Sequence, residues 1–302
     1  MPYNHIALIG LGLISASIAL AIRRKHKTVK ITGTSRSIDT RNKARELGLC
    51  EVCENTKDAV KNADLIILCV PVGAMGSVFD EFAATLKEGA TVTDVGSVKV
   101  EVIASIMPLL PFGVNFVPGH PLAGTENSGP ESGFDSLFDN RWCLLTPIKQ
   151  CPEASVQKVR SFWEGLGAKV DEMDAEHHDL VLAVTSHVPH LIAYTMVGVA
   201  DDLSNITKSE VINYSAAGFR DFTRIAASDP TMWRDVFLNN KGASLEILGR
   251  FTEELTALQR AVRRGDGDLL FDYFTRTREV RRKILEAGQD TDQPNFGREK
   301  NN

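Results

Sequence analysis

Short apolar runs alternate with helical patterns along the first 170 residues of the chain. We predict strands over residues 5–9, 29–33, 63–70, 90–95, 114–117 and 143–146, with helices between them. The run at 63–70 is almost wholly apolar and ends at Pro71, as expected for a strand that is buried on both faces. Strands that alternate with helices of roughly 10–15 residues predict an α/β fold with a doubly wound parallel sheet.

The pattern changes after residue 171. Apolar residues then recur every three or four positions through 174–202, 206–226 and 230–285, and no alternating strand pattern is found. We therefore predict an α/β domain over 1–172 and an all-α domain over 173–287. An apolar stripe along 236–259 fits either the domain core or a dimer interface. The polar segment 288–302 is predicted to be a disordered tail.

Length and composition agree with a globular protein of two domains. The chain has 302 residues, and about 150 residues per domain is typical. Lys and Arg number 34 and Asp and Glu number 39, so the net charge of −5 provides no basic field that would recruit nucleic acid or an anionic membrane. An odd count of five cysteines favours reduced thiols and a cytoplasmic location. The uncharged stretch 6–22 is better explained by a buried strand, a glycine turn and a helix than by a signal peptide or a membrane span.

A glycine turn lies between the first predicted strand and the first predicted helix. It reads GLGLIS over 10–15. Gly10 permits the tight turn, Gly12 lets a pyrophosphate approach the backbone, and Leu13 and Ile14 open a helix whose amides face the phosphates. The third position needs a small residue, and Ser15 supplies it imperfectly. The turn predicts a dinucleotide site, to which Val70 and Pro71 at the end of the strand over 63–70 are added as cofactor contacts.

The end of the second strand bears on the identity of the cofactor. About 20 residues after the glycine turn, an NAD site would present Asp or Glu to the adenosine 2′-hydroxyl. This chain has Ser35 and Arg36 there, and no carboxylate until Asp39. A hydroxyl and a guanidinium suit a 2′-phosphate, which favours NADP over NAD. Arg36 could instead lie over the adenine, and both cofactors would then be accepted.

Two polar segments follow predicted strands. Ser97 comes just after the strand over 90–95, and His120 comes just after the strand over 114–117. The carboxyl ends of parallel strands are where ligands bind in such sheets. Ser97 is therefore a candidate for hydrogen bonding to a ligand. His120 is a candidate general base, because the pKa of histidine lies near working pH.

Further candidates lie in the helical half. His187 and His190 share one face of a predicted helix, and Arg224 is placed to meet an anionic substrate. No nearby Cys or carboxylate completes a zinc site with the two histidines, and Cys50 and Cys53 have no second pair, so we predict no metal. A nucleotide site with a base and carboxylate-binding groups is typical of a hydride-transfer dehydrogenase.

In these segments the chain resembles the prephenate/arogenate (cyclohexadienyl) dehydrogenase family of tyrosine biosynthesis. The resemblance rests on GLGLI at 10–14, DVGSVK at 94–99, GHPLAGTE at 119–126, SHVPH at 186–190, and DFTR at 221–224 followed by Trp233. It implies a Rossmann domain joined to a helical domain that forms a homodimer. It also implies oxidative decarboxylation of prephenate to 4-hydroxyphenylpyruvate, or of arogenate to tyrosine, with hydride transfer to NAD(P).

The resemblance suggests a role for each matching residue. His120 corresponds to the histidine that takes the proton of the ring hydroxyl as hydride leaves the same carbon. Ser97 corresponds to a serine near that hydroxyl, and Arg224 to the arginine that binds a substrate carboxylate. The remaining substrate-binding candidates are Thr125, Glu126, His187, His190 and Trp233.

Two other functions are weighed against this one. A β-hydroxyacid or 6-phosphogluconate-type dehydrogenase would have a glycine-rich helix leading to a catalytic lysine, and His187 and His190 occupy that part of the chain instead. A redox sensor that binds NADP without chemistry would give His120, Ser97 and Arg224 no reason to occur together.

Overall fold

A six-stranded parallel sheet forms the N-terminal part of the protein. The computed structural model describes residues 1–203, 210 and 214–286. The strands have the order β3-β2-β1-β4-β5-β6. They are β1 (His5–Ile9), β2 (Lys30–Thr34), β3 (Glu51–Val52), β4 (Leu65–Leu68), β5 (Thr91–Asp94) and β6 (Asn115–Phe116). This order is that of a Rossmann fold, with its ligand crevice where the order reverses between β1 and β4. The predicted α/β class is confirmed.

Both faces of this sheet are buried. Ile6 and Leu8 of β1 belong to one hydrophobic core, and Ala7 and Ile9 belong to the core on the opposite face. Successive side chains of a strand point to opposite faces, so each face must be covered by helices. The covering helices are α1 (Leu13–Lys25), α2 (Ile38–Glu46), α3 (Thr56–Val60), α4 (Met75–Asp80), α5 (Val100–Ile106) and α6 (Glu153–Leu166).

A second, three-stranded sheet follows the first. It contains β7 (Gly119–Pro121), β8 (Trp142–Leu145) and β9 (Lys169–Glu172), with β8 antiparallel to β7 and parallel to β9. The apolar run at 143–146 is predicted to continue the parallel series, but it lies in this second sheet. The sequence pattern does not predict β9, because its letters KVDE are mostly charged and its side chains are mostly exposed.

The remainder of the described chain is helical. It contains α7 (Ala175–Leu182), a π-helical turn (Ala183–His187), α8 (Val188–Asp202), α9 (Ala217–Thr223), a 3₁₀ turn (Arg224–Ala227), α10 (Pro230–Asn239), α11 (Lys241–Arg264) and α12 (Gly267–Glu286). The helical pattern over 230–285 is interrupted at Asn240, whose φ of −116° and ψ of 43° end α10. Much of the predicted helix over 206–226, and the tail 288–302, lie outside the described residues.

The chain divides into two compact units, Met1–Leu245 and Glu246–Asn302. The first contains both sheets and every candidate site residue. The described part of the second, up to residue 286, contains most of α11 and all of α12, with exposed Phe271, Phe274 and Val280 on α12.

The stretch Ala175–Asp202 is also long and apolar enough to cross a membrane, judged by length and composition alone, and only 28% of its apolar window is buried. Val184, Met196 and Val199 are among its exposed side chains. Exposed apolar surfaces of this kind are typical of contacts with another protein or with a membrane.

Candidate active site

The glycine turn after β1 has the geometry that a dinucleotide requires. Gly10 has a φ of +98°, and a Cβ there would lie 2.5 Å from the carbonyl oxygen of Cys69, so only glycine fits. A Cβ at Gly12 would meet no atom within 4 Å, which leaves this backbone open to a ligand. Helix α1 begins at Leu13 with no side chain capping its first amides. Its N-terminus is therefore free to bind phosphate, and the residues present fit a dinucleotide.

Ser15 is accommodated at the third position of the turn. It is fully buried, and its hydroxyl donates to the carbonyl of Gly12 at 3.0 Å. The tightest packing falls one residue later, where a Cβ on Gly133 would come within 2.5 Å of the Ala16 side chain. The departure from glycine at Ser15 therefore leaves the close packing of α1 intact.

The predicted cofactor contacts lie around this turn. Leu13 is buried and Ile14 is half-buried in the first turn of α1. Val70 is half-buried next to Gly10, with its Cγ1 3.1 Å from the position of a Cβ there, and Pro71 beside it is exposed.

Ser35 and Arg36 follow β2 and are held by a residue that the sequence motifs do not single out. Ser35 is half-buried and Arg36 is exposed. Arg41 donates from Nη1 to the carbonyls of Ser35, at 2.6 Å, and of Arg36, at 3.2 Å. Arg41 also pairs with Glu54 at 3.2 Å. The loop that would meet the adenosine ribose is thus fixed by a guanidinium on its protein side.

A buried ion pair joins the two segments that carry Ser97 and His120. Lys99 and Asp94 are both fully buried and form a salt bridge. Asp94 accepts from the amides of Gly96, at 2.9 Å, and Gly119, at 3.1 Å, while Lys99 Nζ donates to the Gly119 carbonyl at 2.7 Å. From the sequence alone, Lys99 could equally well be a lysine on the surface of a helix. In the structure its side chain is buried and joins Asp94 to Gly119.

His120 lies in β7 at the start of a hydrogen-bonded chain that ends on a carboxylate. Its Nδ1 is 2.9 Å from Nε2 of His178, and Nδ1 of His178 is 2.8 Å from Oδ1 of Asp179. Asp179 also accepts from the amides of Lys99 and Val100, at 2.8 and 3.0 Å. All three members of the chain are buried, with exposures of 8%, 0% and 4% for His120, His178 and Asp179.

The carboxylate determines where the protons of both histidines lie. A carboxylate accepts, so His178 carries its proton on Nδ1 and its Nε2 accepts. His120 must then donate from Nδ1, which leaves the Nε2 lone pair of His120 as a base. Burial lowers the pKa of His120 well below its usual value, and His178 and Lys99 act in the same direction. His120 is therefore neutral at neutral pH and able to accept a proton.

His187, His190 and Trp233 form an aromatic cluster on the π-helical turn, α8 and α10. The rings of His190 and Trp233 are stacked with centroids 3.6 Å apart, and those of His187 and Trp233 meet edge-on at 6.1 Å. His190 donates from Nδ1 to the carbonyl of Ser186 at 2.8 Å, which leaves its Nε2 as an acceptor. Burial lowers the pKa of His190, and Arg224 lowers it further.

Arg224 is paired with Glu126 at 2.9 Å, and the two side chains are 36% and 29% exposed. The Nε of Arg224 is buried and without a hydrogen-bond partner among the described residues. Thr125, next to Glu126, is exposed and accepts from the amide of Asn127 at 3.2 Å. Within the described ranges no group of three or more His, Cys, Asp or Glu side chains could hold a metal ion.

Comparison with known sequences places this architecture in one family. The family model described as "Prephenate dehydrogenase, nucleotide-binding domain" matches residues 18–172, and the model described as "Prephenate dehydrogenase, dimerization domain" matches residues 174–276. The chain belongs to the prephenate dehydrogenase family. The resemblance stated from the motifs is thereby confirmed, as are the Rossmann fold and the assignment as a dehydrogenase.

Individual members of the family cover nearly the whole chain. The cyclohexadienyl dehydrogenase of Zymomonas mobilis is 42% identical over 280 residues, which are 92% of this chain and 95% of that protein. The prephenate dehydrogenase of A. aeolicus, solved in complex with hydroxyphenyl propionate and NAD+, has a TM-score of 0.85 and 33% identity, covering 93% of this chain and 98% of that one. The arogenate dehydrogenase of Synechocystis has a TM-score of 0.76 and 27% identity, covering 93% and 99%.

Proposed function

We propose that this chain catalyses the nicotinamide-dependent oxidative decarboxylation of prephenate or arogenate. The observation that carries the proposal is the chain from Asp179 through His178 to His120, which leaves a neutral histidine with its lone pair on Nε2. A ring hydroxyl presented to that nitrogen loses its proton as hydride leaves the same carbon. The relatives named above act on prephenate or arogenate by their names, which supports this substrate class.

Each candidate residue has a task in this reaction. A bound nicotinamide dinucleotide would supply the hydride acceptor. His120 takes the hydroxyl proton, Ser97 holds the hydroxyl oxygen, and Arg224 binds a carboxylate of the substrate. Loss of carbon dioxide then makes the ring aromatic, and the ring oxygen recovers the proton held by His120. We place Thr125, Glu126, His187, His190 and Trp233 around the substrate.

The preferred cofactor is proposed to be NADP. The family model identifies a nucleotide-binding domain, and the A. aeolicus relative was solved with NAD+. Ser35 and Arg36 lie where an NAD site would present a carboxylate, and a hydroxyl with a guanidinium suits the 2′-phosphate. Gly10, Gly12, Leu13, Ile14, Val70 and Pro71 would contact the remainder of the dinucleotide.

A second copy of the chain is the proposed partner. The family model over 174–276 is that of a dimerization domain. The exposed apolar side chains of α8 and, in the second unit, of α12 would be covered by that copy rather than by lipid. Light scattering of the purified protein without detergent tests this proposal: a mass of two chains supports it, and a monomer or a detergent-dependent species contradicts it.

The domain boundary and the location of the protein also remain proposals. We assign 1–172 to nucleotide binding and 173–287 to substrate binding and dimerization, on the change of sequence pattern. We place the protein in the cytoplasm, because all five cysteines are free thiols.

The test of the function is an absorbance assay for reduced nicotinamide that crosses prephenate and arogenate with NAD and NADP. Reduction with either substrate establishes the reaction, and the preferred pair identifies substrate and cofactor together. Silence in all four combinations from a folded, nucleotide-binding protein would contradict the proposal. The β-hydroxyacids are then the next substrates to test, and inactivity there favours a sensor.

A further inference from the structure

The side-chain amide of Asn240 joins two parts of the site. Its Nδ2 lies 2.8 Å from the main-chain carbonyl of Asp179 and 3.0 Å from Nδ1 of His187. Asn240 is 5% exposed and stands at the break between α10 and α11. It therefore contacts both the residue that orients His178 and a histidine of the aromatic cluster.

The two contacts determine which way the amide of Asn240 points. A main-chain carbonyl can only accept, so the atom facing Asp179 must be the NH₂ group. The second hydrogen of that NH₂ group then points at Nδ1 of His187, which must accept it. A neutral His187 consequently carries its own proton on Nε2.

The Nε2 atom of His187 has no partner of its own. His187 is fully buried, and its Nε2 makes no hydrogen bond of acceptable geometry within the described part of the chain. Burial lowers the pKa of His187 to about 4, so the ring is neutral at working pH and its tautomer decides what Nε2 can do. A buried donor without a partner calls for an acceptor, because the desolvated N–H is otherwise costly.

His187 lies at an irregular point of the backbone. His187 ends the π-helical turn Ala183–His187, a type of irregularity that is frequent at functional sites. The main chain of Ser97 raises the pKa of His187 against the effect of burial, and charge on His187 lowers the pKa of His120. His187 therefore lies near the two residues to which the chemistry is assigned.

We propose that Asn240 is a positioning residue that fixes His187 as the Nε2–H tautomer, so that His187 donates a hydrogen bond to an uncharged oxygen of a bound ligand. His120 and His187 then present opposite functions at Nε2, a lone pair on one and a proton on the other. The acceptor is either the carboxamide oxygen of the nicotinamide or the ring oxygen of the substrate. The tautomer follows from this chain alone, whereas the identity of the ligand rests on the proposed function.

The first test reads the tautomer without any ligand. In protein labelled with ¹⁵N-histidine, two-bond ¹H–¹⁵N spectra distinguish a protonated Nε2 from a protonated Nδ1, and the His187→Asn variant assigns the signal. We expect His187 to be the Nε2–H form. In Asn240→Asp the carboxylate accepts from Nδ1, so we expect the signal to change to the Nδ1–H form. Asn42→Asp, an equal change of charge on the exposed face of α2, leaves it unchanged. A Nδ1–H form in the unmodified protein, or no change in Asn240→Asp, overturns the proposal.

The second test identifies the acceptor. We expect Asn240→Asp to weaken the binding of one ligand by about 10- to 100-fold, since Nε2 of His187 no longer donates a hydrogen bond to that ligand. Weaker binding of NAD or NADP to the free protein identifies the carboxamide oxygen. An unchanged nucleotide affinity with a loss of kcat/KM for the substrate identifies the ring oxygen. A folded variant that changes neither overturns the proposal.

Two further variants separate positioning from folding. Asn240→Ala removes the hydrogen bond without adding charge. If Asn240 determines the tautomer of His187, the histidine spectrum of this variant shows a mixture of the Nδ1–H and Nε2–H forms. In the His187→Asn background, adding Asn240→Ala reduces ligand affinity or kcat/KM by less than it does alone, because the two residues act together. Full additivity contradicts the coupling. The spectra and the nucleotide affinity remain informative even where neither prephenate nor arogenate is turned over.

Discussion

Nδ1 of His120 lies 2.9 Å from Nε2 of His178, in a buried contact between strand β7 and helix α7. The two residues are 58 positions apart in the sequence. The contact makes one histidine the proton acceptor that determines the tautomer of the other, and Asp179 determines the tautomer of both.

The substitution Asp179→Asn tests this chain of hydrogen bonds. The new side-chain amide has only one acceptor oxygen for the two main-chain amides at the start of α5. Its NH₂ group would donate to His178, which reverses the tautomers of both His178 and His120. We expect kcat to fall by about 10²- to 10⁴-fold, the usual contribution of a general base, with nucleotide affinity unchanged. Glu176→Gln removes an exposed carboxylate on the same helix and should have no effect. If Asp179→Asn keeps the kcat of the unmodified protein, the carboxylate of Asp179 does not determine the tautomer of His120.

The buried histidines make stability depend on pH. Burial lowers the pKa of His187 from its usual 6.5 to about 4, so between these values the unfolded chain binds a proton that the folded chain does not. The free energy of unfolding therefore falls as the pH falls from about 6.5 to 4, by up to about 3 kcal/mol from this residue. Urea unfolding at a series of pH values should give a shallower decline for His187→Asn than for the unmodified protein. Equal slopes would mean that His187 is not held neutral.

The pair of Arg224 and Glu126 predicts an effect on substrate binding. Arg224→Ala removes the charge and should raise KM by about 10- to 100-fold with little change in kcat. Arg224→Lys should recover only part of the loss, because an ammonium lacks the forked geometry of the guanidinium. Arg220→Ala, on the exposed side of α9, is the matched control. A main effect on kcat would place Arg224 in the chemistry instead of in carboxylate binding.

The substitution Arg36→Ala distinguishes two roles of this side chain, recognition of the 2′-phosphate and stacking on the adenine. Arg36→Ala should weaken NADP by about 10- to 100-fold and leave NAD unchanged, because only NADP carries the phosphate. Ser35→Asp should reverse the preference by repelling the phosphate. Lys158→Ala, which removes an exposed positive charge from α6, controls for the loss of charge. Equal weakening of NAD and NADP by Arg36→Ala would show that the side chain meets the adenine that they share.

Local signals in the sequence are sufficient to predict five of the six strands of the parallel sheet. The strand over 5–9 coincides with β1, and the need for glycine at Gly10 is explained by a positive φ and by the approach of Cys69. The motifs likewise point to His120. They cannot reveal His178 and Asp179 as its partners, because that contact depends on how α7 packs against α5 and β7.

Other features escape prediction for related reasons. Lys99 is buried only because Asp94 and Gly119 converge on it from separate strands. Asn240 stands within a helical pattern that gives no sign of the break in the backbone. Strand β9 has few apolar residues, since it is added to the edge of a small sheet. Gly119 is 20 positions from Lys99 and Asp179 is 61 positions from Asn240, so the pattern around Lys99 and Asn240 does not show these partners.

The most direct test of the proposed mechanism is His120→Asn, measured for both turnover and nucleotide binding, with the exposed neighbour substitution His177→Asn as control. We predict that kcat falls by about 10²- to 10⁴-fold, since asparagine cannot take the hydroxyl proton, while the Kd of NADP or NAD stays within about twofold. His177→Asn should match the unmodified protein in both. Retention of turnover in His120→Asn would remove His120 from the mechanism, and with it the purpose assigned to His178 and Asp179.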